Sequence, residues 1–93
     1  MKVRKTKEIK KVLNEKGFEL DPKKHHHEFY FLKIDGKKHN VYTYFSHGKR
    51  EYNSQLMSQI KKQLKFTDSK TAEDFFDCPF TKEMYFDMIK EKM

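Results

Sequence analysis

The spacing of apolar positions changes along this chain, and each change marks an element. From Lys5 to Lys16, Ile9, Val12 and Leu13 recur at helical spacing among lysines, which predicts an amphipathic helix. Gly17 follows directly, and glycine accepts the left-handed conformation that ends many helices. Phe18-Glu19-Leu20 alternates apolar and polar and predicts a short strand, which Asp21-Pro22 stops. His27 to Ile34 is aromatic and branched and predicts a longer strand. Asp35-Gly36 is a strong hairpin signal, because a type I′ turn needs positive φ at both central residues. His39 to Phe45 then returns. Glu51 to Leu64 resumes the helical period, with Tyr52, Leu56, Met57, Ile60 and Leu64 on one stripe. Two shorter helical stretches follow Phe66. Ala72 to Asp77 has Thr71 as cap and Asp74 in the capping-box position. Lys82 to Lys92 has Thr81 as cap and a buried stripe of Met84, Tyr85, Met88 and Ile89.

The order helix–strand–strand–strand–helix, then two short helices, predicts an α+β fold. Its core would be a three-stranded antiparallel sheet with both main helices on one face. Residues 1–66 would form this domain, and residues 67–93 a helical C-terminal extension packed on it. That α-β-β-β-α order is the topology of the double-stranded-RNA-binding domain (dsRBD), a module that reads duplex shape and phosphate. A two- or four-residue hairpin loop puts Tyr30, Leu32, Ile34, Val41 and Phe45 on one face of the sheet. His27, Phe29, Phe31, Asn40, Tyr42 and Tyr44 then share the other, whereas a three-residue loop would exchange the faces of one strand. The first set is the more aliphatic and is expected to meet the helices. The alternative puts Phe29 and Phe31 in the core and Tyr30 outside, since exposed phenylalanine forfeits about 25 cal/mol per Å². A C-terminal segment lying over that face would also shelter them.

Ninety-three residues make one domain, and an aromatic content of 15% argues against disorder. No apolar run approaches the ~20 residues of a membrane span, and none follows the basic N-terminus as in a signal peptide. With a single cysteine, Cys78, the expectation is a cytoplasmic protein without a disulfide, its thiol a buried small hydrophobe. Charge is unevenly placed. Residues 1–66 carry 17 Lys/Arg against 7 Asp/Glu, and residues 67–93 carry 4 against 7. A basic body suggests a polyanionic partner such as a nucleic acid, although lysine-rich surfaces also serve solvation alone.

Two stretches carry candidate chemistry: His25-His26-His27 leading into the central strand, and Ser46-His47-Gly48-Lys49-Arg50 after the returning one. Histidine can take and give a proton near neutral pH. RNA can be cut without metal when its own 2′-OH attacks the adjacent phosphate, with a histidine moving the proton and lysines offsetting the charge. Lys23, Lys24, Lys49 and Arg50 are candidate phosphate contacts, as are Lys37 and Lys38 beside the turn. Metal binding is the competing use of three histidines. Neighbours on a strand point to opposite faces, so at most His25 and His27 could combine with His47 or Glu28, and no metal or other cofactor is expected.

Four features together resemble the HicA family of toxin–antitoxin modules. They are Lys16-Gly17-Phe18 closing the first helix, histidines opening the central strand, His47 in Ser46-His47-Gly48, and Ile60-Lys61-Lys62-Gln63-Leu64 closing the second helix. The family's usual Gly-Ser before the histidines is replaced here by Lys23-Lys24 or a histidine, and residues 67–93 are an addition. The resemblance implies a dsRBD-like fold, mRNA cleavage, and a HicB-like antitoxin as protein partner. It implies His27 as the catalytic histidine, with His26 as second choice and His47 as a possible partner acid. Two non-enzymatic readings stand beside it: a duplex-RNA-binding module with structural histidines, and a basic protein-interaction domain.

Overall fold

The turn at Asp35-Gly36 sets the register of the main sheet. In the computed structural model, which describes residues 1–23 and 26–92, these two residues have φ of 53° and 77°. Successive positive φ values match the right-handed twist of the strands they join. The elements run β1 (Arg4–Lys5), α1 (Thr6–Glu15), β2 (Phe18–Leu20), β3 (His27–Ile34), β4 (Lys37–Ser46), β5 (Glu51–Tyr52), α2 (Ser54–Gln63), α3 (Ser69–Asp77) and α4 (Lys82–Lys92). The fold is α+β, with a three-stranded antiparallel sheet in the order β2-β3-β4. Ile34 pairs with Lys37 across the turn. Further along, Lys33 faces Lys38 but Phe31 faces Tyr42, so β4 carries two extra residues there. An even slip leaves every side chain on its own face.

Tyr30, Leu32, Ile34, Val41, Thr43 and Phe45 are buried in one row and share the core with Ile9 and Leu13 of α1 and Met57 and Ile60 of α2. Tyr30 is therefore inside, and Phe29 and Phe31 belong to the opposite face. The C-terminal helices pack on the helical side as well and leave that opposite face open.

Several expectations are corrected. Residues 51–52 are not helix: β5 pairs with β1, Arg4 opposite Tyr52. The helix starts later because the Asn53 side chain accepts the Leu56 N–H at 2.9 Å and caps it there. Tyr52 still reaches the core, from a strand. The small β1–β5 sheet also starts α1, which has no side-chain cap at Lys5. Instead the Thr6 N–H donates to the Arg50 carbonyl at 2.8 Å and the Thr6 hydroxyl to the Lys49 carbonyl at 2.7 Å. In α3 the cap is Asp68 rather than Thr71. Thr71 donates both its N–H and its hydroxyl to the Asp68 carboxylate, each at 2.9 Å, and so holds that carboxyl below its ordinary pKa. Thr81 caps α4 as expected, accepting from the Met84 N–H at 3.1 Å, but Met84 itself is exposed. Cys78 is exposed too: it adopts the left-handed conformation (φ 80°) that terminates α3, and Phe80 turns inward beyond it.

The C-terminal helices share the core through Tyr85. Its ring lies 5.0–5.7 Å from those of Phe18, Phe66 and Phe75, and its hydroxyl donates to the Leu64 carbonyl at 2.9 Å. Burial pushes its phenol pKa well up. Lys16, almost fully buried, donates to the Phe80 carbonyl. Arg4 reaches across to α3 and pairs with Glu73 at 2.9 Å and Asp77 at 3.0 Å. Gly17 has φ 98°, and a Cβ there would lie 2.8 Å from the Phe86 ring.

Two outcomes follow for stability. Gly17→Ala should lower it by about 1–3 kcal/mol in chemical denaturation, from left-handed strain plus the clash. Adding Phe86→Ala should remove the clash and leave the strain. The Arg4 guanidinium also lowers the Asp77 carboxyl pKa, so that ion pair contributes fully above the ordinary carboxylate value and is lost as pH falls through the depressed one. Denaturation below about pH 4 should therefore show a steeper loss of stability in wild type than in Arg4→Gln.

Candidate nucleic-acid interface

The open face of the sheet is built by alternation along β3 and β4. His27, Phe29 and Phe31 project from β3, and Tyr42 and Tyr44 from β4 beside them. Their rings form a connected series. His27 lies 5.3 Å from Tyr44, Tyr44 5.4 Å from Phe29, Phe29 5.9 Å from Tyr42, and Tyr42 5.0 Å from Phe31. Tyr42 and Tyr44 are 38% and 40% exposed, while His27, Phe29 and Phe31 are half-buried. At the turn end the Lys38 ammonium sits 3.8 Å over the Phe31 ring.

At the other end the series opens into a cleft of about 310 Å³ between β4 and α2, bordered by His27, Tyr44, Ser46, Lys49, Gln59 and Gln63. His27 Nδ1 is enclosed and has no hydrogen-bond partner among the described residues. A buried ring nitrogen without a partner costs of order 1–3 kcal/mol, and in native proteins such groups call for an explanation. Gln63 is fixed from below, where its Oε1 accepts from the buried Thr43 hydroxyl at 2.6 Å. Lys49 also borders a second, shallower basin with Lys5, Lys7, Lys10 and Arg50. The β1–β5 pairing and the bonds from Thr6 hold that basin together.

Of the three candidate histidines only His27 borders the cleft, although its strand partner Ser46 is the residue before His47. His27 lies at the cleft, His26 is exposed ahead of the strand, and His47 is exposed in the turn after β4 and does not border the cleft. Of the basic candidates, Lys49 joins His27, and Arg50 joins Lys49 in the neighbouring basin. Lys37 and Lys38 open β4 opposite the far end of β3, roughly 23 Å from His27 by strand rise. Lys23 is exposed, and Lys24 and His25 lie outside the described residues. Glu28 points to the helical side and pairs with Lys10 at 2.7 Å, so it cannot join His27 around one ion. Among the described residues no three His, Cys, Asp or Glu side chains are grouped to hold a metal, and no helix is long and apolar enough to cross a membrane. Sequence reasoning missed Gln59 and Gln63. Their spacing of four on the polar side of α2 was the available signal.

No protein-family model, curated protein or solved structure matches the chain.

If the outer rings serve recognition, their removal should be cheap for folding. Tyr42→Ala or Tyr44→Ala should each cost under about 1 kcal/mol in urea denaturation. Phe45→Ala on the buried face should cost about 3–5 kcal/mol. Equal costs on both faces would make the outer rings structural.

Proposed function

We propose that this protein is a HicA-like, metal-independent endoribonuclease that cleaves mRNA, with His27 as the proton-transfer group. The observation that carries the reading is the shared cleft of His27 and Lys49. One group there can move a proton, and the other can offset charge building on a phosphate. Because Nδ1 is enclosed, Nε2 is the nitrogen left to meet a substrate. It would take the 2′-OH proton as that oxygen attacks the adjacent phosphorus. The P–O5′ bond breaks, the leaving oxygen gains a proton, and a 2′,3′-cyclic phosphate remains. Lys49 and Arg50, with the lysines of the adjoining basin, would carry the flanking phosphates.

The order of the main elements, with helices before and after a β2-β3-β4 antiparallel sheet, supports the dsRBD-like part of the reading. The small β1–β5 sheet and the helices α3 and α4 are additions to that plan. The HicB-like antitoxin and mRNA as substrate are implied by the same resemblance, and a cytoplasmic site of action is the expectation raised by the single cysteine.

One observation favours a second reading, a binding module without catalysis: only one of the three candidate histidines borders the cleft. In-line cleavage uses a base and an acid, and Tyr44 or Lys49 would have to serve as the acid. Purified protein incubated with mixed RNA in EDTA separates the readings. We expect cleavage with cyclic phosphate ends, lowered by about 10²- to 10⁴-fold in His27→Ala. Equal cleavage by both proteins removes His27 from the reaction, and binding without cleavage leaves the binding module.

A further inference from the structure

We infer that the ligand is single-stranded RNA lying across the open sheet face, with its bases stacked on Tyr42 and Tyr44 and its phosphate chain passing Lys49. This rests on the reading of RNA as the ligand and adds which form of RNA is bound and by what contact.

The rings on this face can meet only part of what a nucleic acid offers. A duplex hides its base faces inside its own stack and offers phosphates and 2′-hydroxyls at its surface. An exposed aromatic plane gains little from those groups. It gains most from the face of an unstacked base, which only a single strand supplies. The ring-to-ring steps on this surface, 5.0–6.3 Å, are wider than the ~3.4 Å rise of stacked bases, so a strand lying here is splayed, one base per ring. Sheet faces that carry aromatics are used this way in RNA-recognition motifs, where they stack two or three bases.

Charge then chooses the ring positions. Glu19 and Asp21 lie on the β2 side, but Lys33 and Lys38 are paired with them at 3.4 and 3.5 Å. The Lys38 ammonium also occupies the face of Phe31. Among the described residues no cation lies over the Tyr42 or Tyr44 ring, and each step along them has a lysine at hand. Both rings border a recess with Lys65, and Tyr44 borders the main cleft with Lys49. Apolar planes edged by cations suit a polyanion with aromatic bases, whereas an apolar protein partner would leave those lysines desolvated. Because the His27 ring is 5.3 Å from that of Tyr44, a base on Tyr44 brings its own ribose and phosphate to the cleft.

The test uses the full chain and labelled 2′-O-methyl oligonucleotides of about ten nucleotides, which lack the attacking hydroxyl and so report binding apart from cleavage. Binding is measured by anisotropy at several salt concentrations. We expect the single strand to bind more tightly than the same strand annealed to its complement, and than an abasic strand of equal length. Tyr44→Leu and Tyr42→Leu, which keep apolar bulk but lose the ring plane, should weaken the single strand by roughly 5- to 150-fold each with an unchanged salt slope. Tyr44→Phe, which keeps the ring plane, should weaken binding less than Tyr44→Leu. Lys49→Ala should reduce the slope instead. Equal affinity for single-stranded, duplex and abasic probes overturns the inference, and so do leucine variants that bind as wild type. Failure of wild type to bind any of the three at low salt overturns the RNA reading along with it. The abasic comparison needs no variant, so a leucine variant that misfolds cannot mask the result.

Discussion

The alternation of side chains across β3 and β4 is the constraint on which the rest of this protein depends. A period of two sends every second residue to the opposite face, and the Asp35-Gly36 turn decides which residues those are. Both faces are aromatic, so composition alone does not tell them apart. The buried row mixes Tyr30 and Phe45 with Leu32, Ile34 and Val41, which interlock with the helices. The open row is nearly all ring. A one-residue slip would bury His27 and Phe31 and push Leu32 into water, which makes the register costly to change.

The remainder of the chain is tied to that sheet by a few contacts of high sequence separation. Arg4 and Lys16, both nearly buried, bring their charges to α3 and to the segment before α4. Arg4 is held by two carboxylates and Lys16 by a carbonyl, so neither charge is left alone in the interior. Tyr85 occupies the middle of the second aromatic cluster. Its hydroxyl takes up the Leu64 carbonyl, which belongs to the C-terminal end of α2 and has no partner within that helix. The helical extension is in this way part of the same core as the sheet, and it leaves the outer face open.

Folding and the candidate binding surface use opposite faces of one strand pair. A half-exposed tyrosine contributes little to folding, and a half-buried histidine with an unpartnered ring nitrogen detracts from it. Such features concentrate where a surface is kept for binding. The basic residues follow the same division: Lys33 and Lys38 are paired with acids on the β2 side, while Lys49 stands with His27 at the cleft on the α2 side.

The periodicities of the chain determined the class of fold, the extent of β3, the hairpin and its two faces, and the position of α4, because each depends on contacts within a few residues. Gly17 was legible as a helix stop, yet its closeness to Phe86 was not. The sequence likewise singled out His27 but not its neighbours. Tertiary structure alone decided that residues 51–52 pair with residues 4–5, that Cys78 is exposed, and that His47, one residue past the strand partner of His27, does not border the His27 cleft. It also decided that Gln63 and Lys49 come to the same cleft. Those outcomes depend on groups dozens of residues apart, whose meeting is set by the burial of a shared core, and no local spacing encodes that.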